Sequence, residues 1–130
     1  MNEQEREELV HYRINRAKDT LEEVNIHVEN ELWSTAVNRL YYACYYAVSA
    51  LLLQHKIKAQ THAGVRQMFG LHFVKKGLID KDLARFYTDI FDKRQTSDYD
   101  DFIEFSRDEV VSLIPSAKQL IEEIEKLITD

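Results

Sequence analysis

Residues 38–53 read NRLYYACYYAVSALLL, and this stretch decides the fold of the chain. From Trp33 onward, apolar or aromatic residues fill almost every position for about five helical turns, without strand-like alternation and without Gly or Pro. A surface helix has one apolar stripe, whereas a helix that is apolar all round is buried by neighbours on every side. The run is too short and too rich in Tyr for a membrane span, and Arg39 lies inside it. The sequence therefore predicts the central helix of an all-α bundle.

Tyrosines occur on this helix in two adjacent pairs, Tyr41 with Tyr42 and Tyr45 with Tyr46. Adjacent residues of a helix point about 100° apart, so the pairs cannot all face one way. We expect some of the hydroxyls to find polar partners inside the bundle or to lie at a contact surface. Because one small bundle needs fewer aromatic residues inside, we also predict a homodimer that buries part of this surplus.

Apolar spacing and capping residues predict the first two helices. Asn2 and Glu5 form a capping-box pattern at the start of the first helix, whose apolar residues then recur every three or four positions. Asn30 is predicted to begin the central helix, which runs to about His55.

The same reasoning predicts three more helices after a polar connection. A third helix is expected over residues 63–76, closed by Gly77, and Asp80 is expected to begin a fourth. Ser106 opens the capping box of a last helix, in which Pro115 predicts a kink or a break. Residues 1–130 are thus expected to form one domain, an up-and-down bundle of about five helices.

Charge is unevenly spread along the chain. The segment from Leu32 to Ile79 contains no Asp or Glu and carries +6, which leaves −12 for the rest of a chain whose net charge is −6. Such asymmetry is typical of a basic surface for an anionic ligand or an acidic partner. It is equally typical of helices that pair their charges across a bundle surface, and both interpretations stay open.

The sequence lacks the residue patterns that several kinds of chemistry require. The single cysteine, Cys44, lies inside the apolar run and is expected to be a core residue, so no intrachain disulfide is possible. The free thiol and the absence of a leader pattern predict a cytoplasmic protein without a membrane segment. Glu8 and His11 have a spacing that di-iron bundles use, but no second such pair exists, so no metal is expected. No cofactor loop, nucleophile motif or DNA-binding motif is found.

The segment from Arg94 to Asp101 is polar, and the apolar helical pattern stops there. One interpretation is functional: Arg94 supplies a forked donor for phosphate, and Asp98 orients it or accepts a proton. The other is structural, with Asp98 capping backbone amides and Tyr99 plugging the end of the bundle.

Four motifs together resemble the HEPN domain, named for higher eukaryotes and prokaryotes nucleotide-binding. They are RLYYACYYA at 39–47, HAGV at 62–65, FVKKG at 73–77, and Arg94 followed by Asp98 and Tyr99. The resemblance covers residues 25–128 and implies a homodimeric all-α bundle, often encoded beside a minimal nucleotidyltransferase. Many HEPN proteins are RNA-cutting toxins of two-gene toxin–antitoxin modules.

Nuclease members of this family use an Arg that is followed, after roughly four to six residues, by a catalytic His. Arg94 matches the Arg, but Tyr99 stands where the first possible His would be, and no His follows Arg94. The pairs Arg6–His11 and Arg66–His72 fit the spacing by chance within predicted helices and are not expected to be sites.

Two function hypotheses follow from the resemblance. The first is a nucleotide- or substrate-binding partner of a separately encoded minimal nucleotidyltransferase, which in some such modules modifies a HEPN tyrosine, here Tyr99. The second is a divergent, metal-independent RNA endonuclease toxin that uses Arg94, Asp98 and Tyr99. In either case the residues expected to bind nucleotide or RNA are Arg39, Tyr42, Lys56, His62, Arg66 and Arg94. Arg94 is expected to lie in a solvent-reachable groove lined by Arg39, Lys56, Lys58 or Arg66.

Overall fold

The computed structural model describes residues 1–99 and 103–129. This part of the chain folds into five α-helices and contains no strand. In chain order they are α1 (Glu3–Glu29), α2 (Trp33–Gln54), α3 (His62–Phe69), α4 (Lys81–Tyr99) and α5 (Arg107–Thr129), with a single π-helical turn, Gly70–Val74, directly after α3. The predicted all-α bundle is confirmed.

Helix α2 is the central element of the bundle. It packs against each of the other four α-helices, as expected for a helix that is apolar all round. Its buried residues extend along its whole length: Ala36, Val37, Leu40, Tyr41, Ala43, Cys44, Ala47, Val48, Ala50, Leu51 and Leu52. The remaining tyrosines, Tyr42, Tyr45 and Tyr46, are only half-buried and lie at the edge of this core.

Both predicted capping boxes are confirmed. At the start of α1 the Asn2 side chain accepts a hydrogen bond from the Glu5 amide at 2.8 Å, and the Glu5 carboxylate accepts one from the Asn2 amide at 3.1 Å. At the start of α5 the Ser106 hydroxyl and the Glu109 carboxylate exchange the equivalent bonds. These caps satisfy amides that have no partner inside the helix.

Asn30 does not begin α2, so that prediction is wrong. Asn30 instead ends α1, where its side-chain amide donates to the carbonyl of Ile26 at 2.8 Å. The chain then turns through Glu31, whose φ of 58° lies in the left-handed region, and α2 begins after Leu32. Asn is common at both ends of helices, and the short connection left no room for it to serve α2.

The third helix is shorter than predicted. It ends at Phe69 and passes into the π-helical turn rather than continuing to residue 76. Gly77, with φ of 77°, ends this region as expected, because a left-handed conformation favours Gly. Asp80 also takes its predicted role: its carboxylate accepts a hydrogen bond from the Asp82 amide at 2.8 Å at the start of α4.

Helix α4 continues through Arg94 to Tyr99, so the expected end of helical structure at Arg94 is wrong. The apolar pattern stops because these last turns are largely exposed, with only Lys93, Arg94 and Ser97 half-buried. Asp100 and Asp101, the end of the predicted polar segment, lie outside the described residues. Helix α5 is not broken at Pro115, and a kink there stays a prediction.

No helix within the described ranges has a stretch long and apolar enough to cross a bilayer.

Candidate functional site

Five side chains meet at the exposed edge of α2, where α3 and α4 pack against it. We call them the tyrosine–arginine cluster: Tyr41, Tyr42 and Tyr45 from α2, His62 from α3, and Arg94 from α4. The Tyr41 hydroxyl lies 2.6 Å from Nδ1 of His62. The His62 ring stacks on Tyr45 with centroids 4.4 Å apart and meets the edge of Tyr42 at 5.8 Å.

Arg94 is held between two tyrosine rings. Its Nη1 donates a hydrogen bond to the Tyr42 hydroxyl at 3.0 Å. Its guanidinium carbon lies 4.9 Å from the centre of the Tyr41 ring and 5.6 Å from that of Tyr42. The side chain is only 12% exposed, and Nε is buried without a hydrogen-bond partner among the described residues. A guanidinium beside aromatic faces is suited to holding a phosphate or a base.

Positive charge exceeds negative charge around this cluster. Asp98, one helical turn beyond Arg94, forms its ion pair at 3.7 Å and is 42% exposed. Arg39 lies over the Tyr42 ring at 5.1 Å and donates to the side chain of Asn38. No carboxylate of the described residues lies within 4.0 Å of Arg39.

Arg66 lies at the border of the cluster. Its guanidinium carbon is 4.5 Å from the centre of the Phe91 ring, and Phe91 in turn meets Tyr41 edge-on at 5.8 Å. One aromatic ring therefore separates Arg66 from the tyrosine–arginine cluster, which is close enough for its charge to add to the local positive potential.

His62 is held in its neutral form. Partial burial lowers its pKa, and the positive charge of Arg94 lowers it further. Burial raises the pKa of Tyr41, so its hydroxyl stays protonated at neutral pH. When that hydroxyl donates to Nδ1, the imidazole proton is left on Nε2. The cluster thus presents one fixed cation beside one neutral imidazole.

Two of the predicted site residues lie outside this arrangement. Tyr99 is 83% exposed, and none of the structure's hydrogen bonds or ring contacts joins it to Arg94. Lys56 lies just beyond Gln54, the last residue of α2. Gln54 is about 18 Å from Tyr42 along the helix axis, so Lys56 is far from the cluster. The structure therefore brings together Arg39, Tyr42, His62, Arg94 and Asp98, with Arg66 beside them, but neither Tyr99 nor Lys56.

Sequence reasoning missed the partners that complete the site. Tyr41 and Tyr45 were not predicted as site residues, although both contact His62. His62 was predicted to bind ligand but not to share the surroundings of Arg94, because the two residues come from different helices. The signal that could have found them is the adjacency of the tyrosine pairs, which forces buried hydroxyls to seek polar partners.

Metal ligands do not converge within residues 1–99 and 103–129. No group of three or more His, Cys, Asp or Glu side chains there is close enough to hold an ion. Cys44 is fully buried in the core, where burial raises the pKa of its thiol.

The fold defines an all-α domain whose one central helix carries a basic and aromatic cluster. Comparison with known proteins gives the family: the sequence profile of the HEPN domain matches residues 10–127. The chain belongs to the HEPN domain family.

Similar proteins occur in Thermotoga maritima and Methanocaldococcus jannaschii, among other organisms. A "UPF0332 protein" of Thermotoga maritima is 40% identical over 97% of this chain and 96% of its own length. Two proteins of Methanocaldococcus jannaschii, each named "Putative toxin", are 36% and 34% identical. The aligned regions span 69% and 84% of these two proteins, and 78% and 88% of this chain.

The neutral state of His62 predicts a specific titration behaviour. In an NMR titration of the histidine rings, we expect the pKa of His62 to lie below the usual ~6.5. Replacing Arg94 with Gln should raise it, because a nearby positive charge is removed. The neighbouring substitution Lys93→Gln is the control, since Lys93 contributes nothing to the lowered pKa of His62.

The lowered pKa of His62 also determines how the free energy of unfolding changes with pH. The folded state binds His62's proton more weakly than the unfolded state does. Stability from this group is therefore fully present above the unfolded pKa near ~6.5 and is lost as the pH falls below it. An Arg94→Gln variant that left the His62 titration unchanged would contradict the proximity of the two groups.

Proposed function

We propose that this protein is the cytoplasmic nucleotide- or RNA-binding component of a two-gene toxin–antitoxin module. In this proposal it acts with a separately encoded minimal nucleotidyltransferase and binds its ligand at the tyrosine–arginine cluster. The observation that carries the proposal is the pair of arginines on one tyrosine. Arg94 donates to the Tyr42 hydroxyl while Arg39 lies over the ring of Tyr42. Among the described residues, Asp98 is the one carboxylate within 4.0 Å of either guanidinium.

This arrangement suits a nucleotide for two physical reasons. Guanidinium groups bind phosphate oxygens through paired N–H donors, and they are weakly hydrated compared with ammonium groups. Tyrosine rings and guanidinium planes both stack on bases regardless of base identity. A surface with both features, on a segment without Asp or Glu from Leu32 to Ile79, favours a polyanionic ligand with aromatic bases.

Family membership and the relatives' names support the module. HEPN domains are often encoded beside nucleotidyltransferases, as the motifs imply, and two relatives carry the name "Putative toxin".

Removing Arg94 tests the proposed binding role. We expect Arg94→Ala to weaken binding of AMP or of a short single-stranded RNA by about 1.5–3 kcal/mol, since one charge-assisted hydrogen bond is lost. Some stability should be lost as well, because the side chain packs between two tyrosine rings. The loss should stay well below several kcal/mol, since the paired Asp98 is half-exposed and can be solvated. Arg85→Ala is the matched control: Arg85 is on the same helix, exposed, and similarly paired with Asp82.

A purely structural Arg94 would give the opposite pattern. In that case Arg94→Ala would lower the free energy of unfolding by several kcal/mol. Loss of stability without any specific loss of binding would refute the proposed function.

The proposal includes a homodimer. Trp33, at the start of α2, is half-buried in one chain, so a second copy has aromatic surface left to cover outside the tyrosine–arginine cluster. Light scattering at micromolar concentration should give about twice the chain mass of 15.4 kDa. A monomer at that concentration would rule the dimer out.

A metal-independent RNA endonuclease is the second candidate, and one observation favours it. His62 lies against Tyr41 and Tyr42, the same two residues that hold Arg94. This family's nucleases pair an Arg with a His, and His62 supplies an imidazole, the side chain that most often transfers protons in catalysis. Arg94 would then stabilise the charged phosphate while His62 exchanges a proton with the ribose hydroxyl or the leaving oxygen.

Cleavage of RNA in the presence of EDTA separates the two candidates. A nuclease should cut single-stranded RNA without metal, and both Arg94→Ala and His62→Ala should lower the rate by at least about a hundredfold. If the wild-type protein binds RNA but leaves it intact, the binding role stands alone.

A further inference from the structure

A second groove adjoins the tyrosine–arginine cluster and has no assigned role. It has a volume of about 490 Å³ and lies between α1, α2 and the connection from α2 to α3. Arg13 enters it from α1, Tyr45 and Tyr46 from α2, and Lys58 and Gln60 from the connection. We call it the Arg13–Lys58 groove. Its size is that of a site for one small ligand, such as a single nucleotide unit.

Charge distinguishes this groove from others on the described surface. Arg13 and Lys58 line it, and no Asp or Glu does. The groove between α1 and α5, in contrast, is lined by Lys18 and Lys118 together with three glutamates. A third groove, near the start of α1, also mixes signs, with Arg6 between Glu3 and Glu7. The Arg13–Lys58 groove therefore attracts anions, whereas the two mixed grooves are internally compensated.

Arg13 in this groove and Arg16 beside it are each held by a contact with α2. Arg13 Nη1 donates to the carbonyl of Ser49 at 3.4 Å, which fixes the guanidinium at the groove wall. Arg16, one turn further along α1, lies 4.9 Å from the centre of the Tyr46 ring. Tyr46 is thus a half-buried ring with a guanidinium on it, the same combination that Arg39 and Tyr42 form in the cluster.

One ring joins the groove to the cluster. Tyr45 lines the groove and also stacks on His62 at 4.4 Å. Tyr42, Tyr45 and Tyr46 contact one another in all three pairs, with ring centroids 5.9–6.2 Å apart. These rings therefore form one continuous aromatic track that joins Arg94 to the Arg13–Lys58 groove.

We propose that the Arg13–Lys58 groove binds a second nucleotide unit of a single-stranded RNA whose neighbouring phosphate lies at Arg94. This inference rests on the proposed function and extends it: the ligand is an oligonucleotide rather than a free nucleotide. Arg13 and Lys58 contact the phosphate of the second unit, and Tyr46 stacks on its base. Single strands fit such a track because every base has a face that can stack on an aromatic ring.

Comparing a short and a long ligand tests this. Binding of AMP and of single-stranded oligo(A) of about eight nucleotides, a length within the usual range of such sites, is measured for the wild type and variants. Lys58→Gln and Arg13→Gln should each weaken oligo(A) binding by about tenfold, the lower end for a charged hydrogen bond, and leave AMP binding unchanged. Each should also reduce the slope of log affinity against log salt by about 0.7.

Lys75→Gln is the matched control. Lys75 is an exposed lysine that also belongs to the segment without Asp or Glu, from Leu32 to Ile79. It comes directly after the π-helical turn and does not line the groove. It should leave both affinities and the salt slope as they are. Arg13→Gln removes the hydrogen bond to the Ser49 carbonyl and could lower stability for that reason. Lys58 is exposed, so Lys58→Gln tests the groove without that effect.

The outcomes separate this inference from the proposed function. If Arg94→Ala weakens both ligands while Lys58→Gln and Arg13→Gln bind oligo(A) like the wild type, the groove is not a subsite, and the proposed function stands. If the wild type binds neither ligand, both proposals fall. If the groove variants shift the mass in light scattering instead of the affinity, the groove is an interface between copies of the chain, and the subsite is refuted.

Discussion

Packing of the central helix against all four other helices is the constraint on which the site depends. Helix α2 is surrounded by the other four helices, so its two tyrosine pairs cannot all turn their hydroxyls to water. A buried hydroxyl without a hydrogen bond costs free energy, and the helix meets this demand from two neighbours. Tyr41 is satisfied by His62 of α3, and Tyr42 by Arg94 of α4. The hydrogen-bond partners of the two tyrosines, His62 and Arg94, thereby place an imidazole and a cation next to each other.

The same arrangement explains why one cluster can be both structural and functional. Arg94 fills space between tyrosine rings, and its Nε, which makes no hydrogen bond with the described residues, faces the half-exposed carboxylate of Asp98 at 3.7 Å. A residue needed for stability alone would be expected to have all its donors satisfied inside the protein. Because the Asp98 carboxylate is half-exposed and 3.7 Å away, the positive charge of Arg94 is only partly offset and can attract an anionic ligand.

Much of the fold could be predicted from the sequence, because the information is local. The all-round apolar run indicated α2, and the Asn2–Glu5 pair and Ser106 marked the starts of α1 and α5. The errors occurred where local signals are ambiguous: Asn30 caps either end of a helix equally well, and the exposed last turns of α4 carry no apolar pattern. The site was predicted only in part. His62 and Arg94 are 32 positions apart in the sequence and come together because α3 and α4 both pack on α2. The spacing of residues in the sequence does not show how helices pack.

The most direct test of a ligand site at Arg94 is NMR observation of its side chain during titration with a short single-stranded RNA. We predict that the Arg94 Nε–H resonance and the His62 ring resonances shift together and saturate with the same affinity. The exposed Arg85 Nε–H, on the same helix, should stay in place. RNA binding that leaves Arg94 and His62 unshifted would contradict the account, and so would the absence of any binding.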